Sequence, residues 1–283
     1  MNSGDHLCLC FDSDREQGGV VAAFVREGIA SHHKVLYLAD KAPDRVLASL
    51  RTRGLDPTPH LASGQLAVSS TQETYLQRVP FEPEHMIDTL SAEADLALEG
   101  GYRALSVTGE MSWALRGYPG SDRVVEFESR VASVFAARPV LAVCQYDRRR
   151  FPAGQLAALQ RVHPGVLADE LAYEDTLLRV TRTRLPQGLR LVGEVDLTNV
   201  EALRELVREQ VQRSRGALHL DLSGLGFIDV RGARLLVHHA TTASSHRRLV
   251  ILESPGPELR LMLASLGWDR ITNLVIRGGT SVD

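Results

Sequence analysis

The strongest constraint on the fold is the regular alternation of apolar runs with amphipathic segments over the first 170 residues. Leu7 to Phe11, Val35 to Ala39 and Val140 to Gln145 have the length and apolar content of buried strands. The stretches between such runs have apolar residues at helical spacing, as in Val20, Phe24 and their neighbours. Strands spaced by helices predict a parallel, doubly wound α/β sheet, with ligands expected beyond the carboxyl ends of its strands.

The pattern changes after about residue 172. Thr176 to Arg184 and Leu189 to Val195 read as two strands joined by Leu-Pro-Gln-Gly, which is a hairpin signal. We therefore predict an N-terminal domain over residues 1–172 and a smaller C-terminal α/β domain over residues 173–283. The connecting stretch 168–174 has a helical character, which predicts a rigid connection.

The composition is that of a globular protein and argues against several classes of function. Apolar residues make up 44% of the 283 residues and charged residues 24%. No window approaches the roughly 18 consecutive apolar residues of a membrane span, so we expect no membrane association. With a net charge of −3, neither half has the basic excess that nucleic-acid binding requires. The amino terminus turns acidic at once, so we expect no secretory signal and a cytoplasmic protein.

Three cysteines, Cys8, Cys10 and Cys144, are an odd number, which argues against a disulfide framework. Cys8 and Cys10 lie two residues apart on a predicted strand and therefore on one face. One interpretation is a metal or haem site. Small apolar residues in a buried sheet are favoured, because no cluster of His and Cys completes a ligand set. We expect no metal and no cofactor.

The loop from Phe11 to Gly19 stands between a strand and a helix, where nucleotide-binding folds place a phosphate loop. It lacks both the glycine arrangement and the lysine of such a loop. Asp12, Asp14 and Glu16 stand at the helix start instead, where carboxylates favour the helix dipole and repel phosphate. Two interpretations remain open: ordinary helix capping, or a ligand site descended from a phosphate site.

Two further segments follow strand ends. Glu110 could bind a ligand, act as a base or cap the next turn, and Trp113 could stack on a ligand or fill a seam between domains. Asp147 precedes three arginines, which is typical of a salt-bridged loop. His163 before Pro164 either ends a helix or approaches the same edge. We expect one pocket at the carboxyl edge of the sheet, with His163 nearby and with these walls: Asp12, Glu16, Glu110, Trp113, Tyr146 and Asp147.

The motifs HLCLCFDSDRE, GYRALSVTGEMSWAL and CQYDRRRF, with the later His-Pro pair, resemble the MEDS sensory domain over about residues 3–170. That family is regarded as a degenerate relative of recombinase-type ATPases. The resemblance implies that this half senses a small molecule, such as a hydrocarbon derivative, and passes its state to a fused output domain. It does not imply which ligand is bound.

The second half resembles a STAS domain through LRLVGEVDL and LDLSGLGFIDVRGARLL, over about residues 174–278. The resemblance implies that an anti-sigma factor or a related kinase-like regulator binds here. The partner-binding residues that it implies are Asp196, Asp229, Val230, Arg231 and Gly232. In anti-sigma-factor antagonists a serine that a partner kinase phosphorylates stands where this chain has Val230, so the usual switch is in doubt.

Three hypotheses of function follow. The first is a non-catalytic regulator of transcription by partner switching, in which the first domain biases the partner binding of the second. The alternative is a nucleotide-binding or ATP-hydrolysing enzyme of the recombinase-like class, although no hydrolase elbow, kinase signature or dinucleotide fingerprint is present. The third is a passive scaffold without a ligand. Whether the chain forms a homodimer is left open.

Overall fold

The structure is a computed structural model that describes residues 4–40, 42–167, 169–213, 216–241 and 249–278. The chain divides into two compact units, Met1–Ala168 and Asp169–Asp283, and each has an apolar core of its own. This division lies slightly before the boundary that the sequence pattern predicts at residue 172.

The first unit is built on a parallel sheet of six strands within the described residues. These are β1 (His6–Phe11), β2 (Lys34–Ala39), β3 (Leu66–Ser70), β4 (Leu105–Glu110), β5 (Val140–Asp147) and β6 (Gly165–Leu167). Their order across the sheet is β3-β2-β4-β5-β1-β6, and every neighbouring pair is parallel. The doubly wound parallel sheet that the alternating pattern predicts is therefore confirmed.

Helices cover both faces of this sheet. They are α1 (Asp14–Ala30), α2 (Pro43–Thr52), α3 (Thr58–Ala62), α4 (Pro83–Glu99), α5 (Val124–Ala136) and α6 (Ala153–Val162). A strand that is covered on both faces has a nearly continuous apolar sequence, because neither face meets water. All eight residues of β5 are buried in this way. Apart from the short α3, which has no buried residue, the helices are amphipathic and bury one stripe each. In α5 the stripe includes Val124, Phe127, Val131 and Phe135.

The register of the sheet decides which side chains can meet. Glu110 at the end of β4 is level with Gln145 of β5, and Phe11 at the end of β1 is level with Asp147. The ends of these strands therefore form one border, called the carboxyl edge from here on. Successive side chains of a strand point to opposite faces. Gln145 contacts Gln17 of α1 on one face, whereas Tyr146 contacts Glu128 of α5 on the opposite face.

The second unit has a mixed sheet. Its strands are β7 (Glu170–Glu174), β8 (Leu178–Arg184), β9 (Gln187–Val195), β10 (Leu218–Ile228), β11 (Val250–Glu253) and β12 (Leu274–Arg277), and its helices are α7 (Val200–Arg213), α8 (Val230–Thr241) and α9 (Pro257–Ser265). The order is β12-β11-β10-β9-β8-β7. The pairs from β7 to β9 are antiparallel and those from β9 to β12 are parallel. The predicted hairpin is the antiparallel β8–β9 pair.

The connecting stretch is a strand and not the helical segment that the sequence pattern predicts. β7 pairs with β8 in antiparallel register, with Tyr173 opposite Val180. Ala172 and Tyr173 pack against the core of the second unit. A segment of this length is too short to be stable as an isolated helix, and pairing with the edge of β8 satisfies its backbone hydrogen bonds instead.

The start of α8 lies tightly against the ends of β9 and β10. Asp229 caps the helix, because its Oδ1 accepts a hydrogen bond from the backbone N–H of Gly232 at 2.7 Å. A Cβ at Gly232 would lie 2.7 Å from Cγ1 of Val195 and 2.8 Å from Cγ1 of Ile228. A residue with a side chain fits here only if the side chains of Val195 and Ile228 shift.

We expect Gly232→Ala to lower the free energy of unfolding of the second unit by about 1–3 kcal/mol, since the added methyl group overpacks the contact with β9 and β10. Urea unfolding followed by circular dichroism measures the loss. Gly216→Ala is the matched control, because a Cβ at Gly216 meets no atom within 4 Å. Equal midpoints for the two variants would contradict the close approach.

Candidate functional site

The loop that follows β1 is organised as a helix cap. Ser13 is the N-cap of α1, and its Oγ accepts from the backbone N–H of Glu16 at 3.2 Å. Glu16 reaches back, and its Oε2 accepts from the backbone N–H of Asp12 at 2.9 Å. This reciprocal arrangement resembles a capping box. The side chain of Glu16 therefore already binds a backbone N–H group in the loop where a nucleotide-binding fold would hold phosphate.

Glu110 is the most connected of the predicted site residues at the carboxyl edge. Its carboxylate is buried, with the residue only 5% exposed. Oε1 accepts from the hydroxyl of Tyr37 at 2.9 Å and from Nε2 of Gln17 at 3.3 Å. Oε2 accepts from the backbone N–H of Asp40 at 2.9 Å. One side chain thus links β4 to β2 and to α1.

A second buried amide extends this network along the face covered by α1. Gln17 also donates from Nε2 to Oε1 of Gln145 at 2.7 Å. Nε2 of Gln145 donates to Oγ1 of Thr108 at 2.8 Å, and that hydroxyl donates to the carbonyl of Val143 at 2.8 Å. Gln17 and Gln145 are not among the site residues that the sequence pattern predicts. Their signal was a polar residue at a position where the pattern requires an apolar one.

A small cavity of about 50 Å³ lies beside Glu110. Its polar wall includes Gln17, Tyr37, Arg45 and Ser49. A cavity of this size has room for a molecule of a few heavy atoms. Burial, and then the negative charge of Glu110, raise the pKa of Tyr37 well above its usual value. Tyr37 therefore stays protonated and keeps its role as a hydrogen-bond donor to Glu110.

Trp113 and Tyr146 do not wall this cavity, contrary to the expectation from sequence. Both are completely buried on the other face of the sheet. Trp113 stacks on Tyr75 with ring centroids 4.9 Å apart, and the hydroxyl of Tyr146 donates to Oε1 of Glu128 in α5 at 2.5 Å. Tyr146 and Asp147 are adjacent in β5, so they point to opposite faces and cannot line one pocket.

Asp147 stays at the carboxyl edge, within a salt-bridged loop. Arg149 donates two hydrogen bonds to its carboxylate, from Nε at 2.8 Å and from Nη2 at 2.7 Å. Nη2 of Arg149 also donates to Oδ1 of Asp14 at 2.7 Å. Hydrogen bonding to Arg149 lowers the pKa of Asp147. Asp12 is exposed and lies 3.8 Å from Nε of Arg148. These carboxylates neutralise neighbouring arginines, as the salt-bridged interpretation expects.

His163 lies at the opposite end of the sheet from the predicted pocket. It precedes β6, whose Gly165 is level with Leu7 near the start of β1. Its ring packs against the ring of His6 with centroids 4.2 Å apart. The helix that His163 follows ends at the amino border of the sheet, because the next strand is parallel to β1. The sequence order alone therefore placed it at the wrong edge.

A wider cavity, of about 240 Å³, opens at this amino border. Glu27, His33, Arg103 and Ser106 contribute its polar lining. Nδ1 of His33 lies 2.9 Å from Oγ of Ser106. The sequence did not predict this cavity, since its residues come from α1, from the loops before β2, β4 and β5, and from the first residues of β4 and β5.

In the second unit three exposed apolar side chains lie near the start of α8. Val230 and Phe227 are 53% and 52% exposed, and Leu197 beyond β9 is 62% exposed. They lie at the carboxyl ends of two adjacent parallel strands, β9 and β10. Arg231 beside them is exposed as well. Exposed apolar groups with a polar border are typical of a protein-binding surface. We call Leu197, Phe227 and Val230 the α8 surface.

The remaining predicted partner-binding residues hold in place the backbone that carries the α8 surface. Asp196 accepts from the backbone N–H of Thr198 at 2.8 Å and from its hydroxyl at 2.5 Å. This turn fixes the chain that leads from β9 to Leu197. Asp229 caps α8 and Gly232 packs against β9. Asp196, Asp229 and Gly232 therefore position the α8 surface, and the exposed side chains form it.

None of the helices in the described parts of the chain is both long and apolar enough to cross a membrane.

Comparisons with known proteins agree with both motif resemblances. A family model described as MEDS, the MEthanogen/methylotroph, DcmR Sensory domain, matches residues 5–164. A model described as Mlab, STAS domain, matches residues 178–276. The two predicted families are thus confirmed in the predicted order. No curated protein matches the chain significantly.

Two solved structures are similar to the chain at low identity. One is a KaiC-like protein from Pyrococcus horikoshii OT3, with 14% identity and a TM-score of 0.48 over 65% of this chain and 80% of that one. The other is the flagellar accessory protein FlaH from Methanocaldococcus jannaschii, with 12% identity and a TM-score of 0.45 over 65% of this chain and 79% of that one.

We expect Glu110→Gln to lower the free energy of unfolding of the first unit by about 1–3 kcal/mol, because an amide NH₂ would face a donor that Glu110 now accepts from. Urea unfolding followed by tryptophan fluorescence in a Trp268→Phe background measures this, since the chain has two tryptophans and Trp113 then reports alone. Exposed Glu99→Gln is the control and should change stability by less than about 0.5 kcal/mol. Matching losses would show that the network at Glu110 contributes nothing.

Proposed function

We propose that this chain, which belongs to the MEDS family of sensory domains and carries a STAS domain behind it, is a signalling regulator without catalytic activity of its own. In this proposal the first domain binds a small molecule and the second binds a protein partner in the cytoplasm. The observation that carries the proposal is the α8 surface, where apolar side chains are exposed around a tightly built helix start.

The proposed partner is an anti-sigma factor or a related kinase-like regulator, so that the output is partner switching in transcription. The three apolar side chains of the α8 surface are exposed in this chain and would become the buried centre of an interface when a partner binds. Arg231 adds a positive charge at its border, which favours a partner with an acidic group at the matching position.

Phosphorylation at the family position does not control binding in this proposal. Val230 stands there and has no hydroxyl group. Ser223, the nearest hydroxyl upstream, donates to Oδ1 of Asp221 within β10. Burial opposes ionisation of Asp221, yet hydrogen bonds from Ser223 and Arg190 lower its pKa. Ser223 is therefore a structural donor, which leaves the first domain as the source of control.

The proposed ligand site of the first domain is the cavity beside Glu110. It places the guanidinium of Arg45 and the hydroxyl of Ser49 beside the buried carboxylate of Glu110, so it offers donors and acceptors to a small polar molecule. The occupied cap after β1 supports the view that the ligand is not a nucleotide. Asp12, Asp14 and Glu16 place negative charge where a triphosphate would need positive charge.

We expect Phe227→Asp and Val230→Asp to reduce partner retention about tenfold or more, because a charge would be buried at the centre of an apolar interface. Immobilised full-length chain is incubated with extract of its own cell, and retained proteins are quantified by mass spectrometry. Leu261→Asp in α9 is the control, since Leu261 is 69% exposed and lies outside the α8 surface.

The retained protein should be an anti-sigma factor or kinase-like regulator, and treatment of the bait with phosphatase should leave retention unchanged. Retention that falls equally in Leu261→Asp would remove the α8 surface from the proposal. Retention that depends on a phosphate at Ser223 would show that the switch has moved to that residue.

We expect no release of phosphate from ATP above the buffer background, because the loop after β1 presents carboxylates and a filled cap to the nucleotide. A phosphate-release assay on wild type and Glu110→Gln measures this, and both should give the same background rate. Turnover that persists through purification and disappears in Glu110→Gln would instead favour the enzyme of the recombinase-like class.

A further inference from the structure

Four ionisable side chains meet inside the first unit, on the face of the sheet opposite the Glu110 network. They are His6 at the start of β1, Glu128 in α5, Cys144 in β5 and His163 before β6. None of the four residues is more than 7% exposed. Each has one atom that could bind a metal, and these four atoms lie within 4.8 Å of one another. We call these four residues the buried cluster. These residues are far apart in the chain, so the sequence alone showed no complete ligand set and led us to expect no metal.

Four of the six separations among these atoms are close to those of a tetrahedral metal site, and the other two are at most 4.8 Å. Nε2 of His6 lies 3.1 Å from Oε2 of Glu128 and 3.3 Å from Sγ of Cys144. Oε2 of Glu128 lies 3.4 Å from Sγ of Cys144 and 3.4 Å from Nε2 of His163. A zinc ion about 2.0–2.3 Å from each ligand requires ligands to be roughly 3.3–3.7 Å apart. The four measured separations lie in or just below this range.

The hydrogen bond of His163 fixes which of its nitrogens faces the cluster. Nδ1 lies 2.7 Å from the carbonyl of Leu159, so Nδ1 carries the hydrogen and donates it. Nε2 then presents a lone pair to Oε2 of Glu128 and has no hydrogen-bond partner among the described residues. In the neutral ring, two acceptors therefore face each other in a dry interior, which is costly unless a proton or a metal ion lies between them.

The surroundings of the cluster match those of a bound metal. A ligating histidine commonly donates its other nitrogen to a backbone carbonyl, as His163 does to Leu159. A ligating carboxylate is commonly held by a second hydrogen bond, as the hydroxyl of Tyr146 holds Oε1 of Glu128 at 2.5 Å. Tyr146, which the sequence predicted as a ligand-binding residue, would thus act on a metal through Glu128.

We propose that His6, Glu128, Cys144 and His163 bind a divalent transition-metal ion, with Zn²⁺ as the ion that their donor set favours. Two imidazoles, one thiolate and one carboxylate suit zinc, whereas Mg²⁺ and Ca²⁺ select oxygen ligands. The chain supplies all four ligands and buries them, which is typical of a structural site and leaves no position for substrate. On binding, the thiol of Cys144 loses its proton to solvent and the metal–sulfur bond forms.

The test begins with metal analysis of the full-length protein purified without chelators. We expect inductively coupled plasma mass spectrometry to find about one zinc ion per chain. Removal with a chelator should lower the unfolding midpoint, and added Zn²⁺ should restore it. Added Co²⁺ should give the near-ultraviolet charge-transfer absorption of a cobalt–thiolate bond. Folded wild-type protein that takes up neither ion would overturn the proposal, whatever the variants do.

Two variants assign the ligands. Cys144→Ser should abolish the cobalt–thiolate absorption, and Glu128→Gln should weaken binding at least about tenfold. Cys10→Ser is the matched control, because Cys10 is a buried thiol of the neighbouring strand outside the cluster. It should bind cobalt as wild type does. Cobalt–thiolate absorption that survives in Cys144→Ser and disappears in Cys10→Ser would place the metal elsewhere and refute this assignment. Binding in these assays does not depend on any partner of the α8 surface.

Discussion

The burial of β5 on both faces is the constraint on which the first unit depends. Neighbouring residues of a strand must point to opposite sides, so Cys144 and Tyr146 face α5 whereas Gln145 faces α1. Each buried polar group then needs a partner from the layer it faces. The unit therefore contains two separate polar assemblies, the Glu110 network on one side and the buried cluster on the other, divided by a single sheet.

In the second unit the limiting constraint is the absence of a side chain at Gly232. Because β9 and β10 end directly beneath the first turn of α8, the helix start cannot retreat into the domain. The residue two positions earlier, Val230, is held outward, although an apolar residue would ordinarily be buried. The exposure of Val230 therefore accompanies the close packing of Gly232 against the side chains of Val195 and Ile228.

Sequence alone predicted the elements well, because hydrophobic periodicity and turn residues act locally. It assigned the faces poorly: Tyr146 and Asp147 were placed in one pocket although they are adjacent in a strand, and Trp113 belongs to the core. The buried cluster depends on residues that only the folded sheet brings together. One local signal existed, since Glu128 interrupts the apolar stripe of α5, where a charge is rarely placed without a partner.

Cys144 and Gln145 are consecutive residues, so a single peptide bond connects the two polar assemblies. A ligand beside Glu110 that pulled Gln145 toward α1 would also draw Cys144 away from Glu128 and the two histidines. Binding of a ligand in the cavity on one face of β5 would therefore change the distances between the side chains of the buried cluster on the other face.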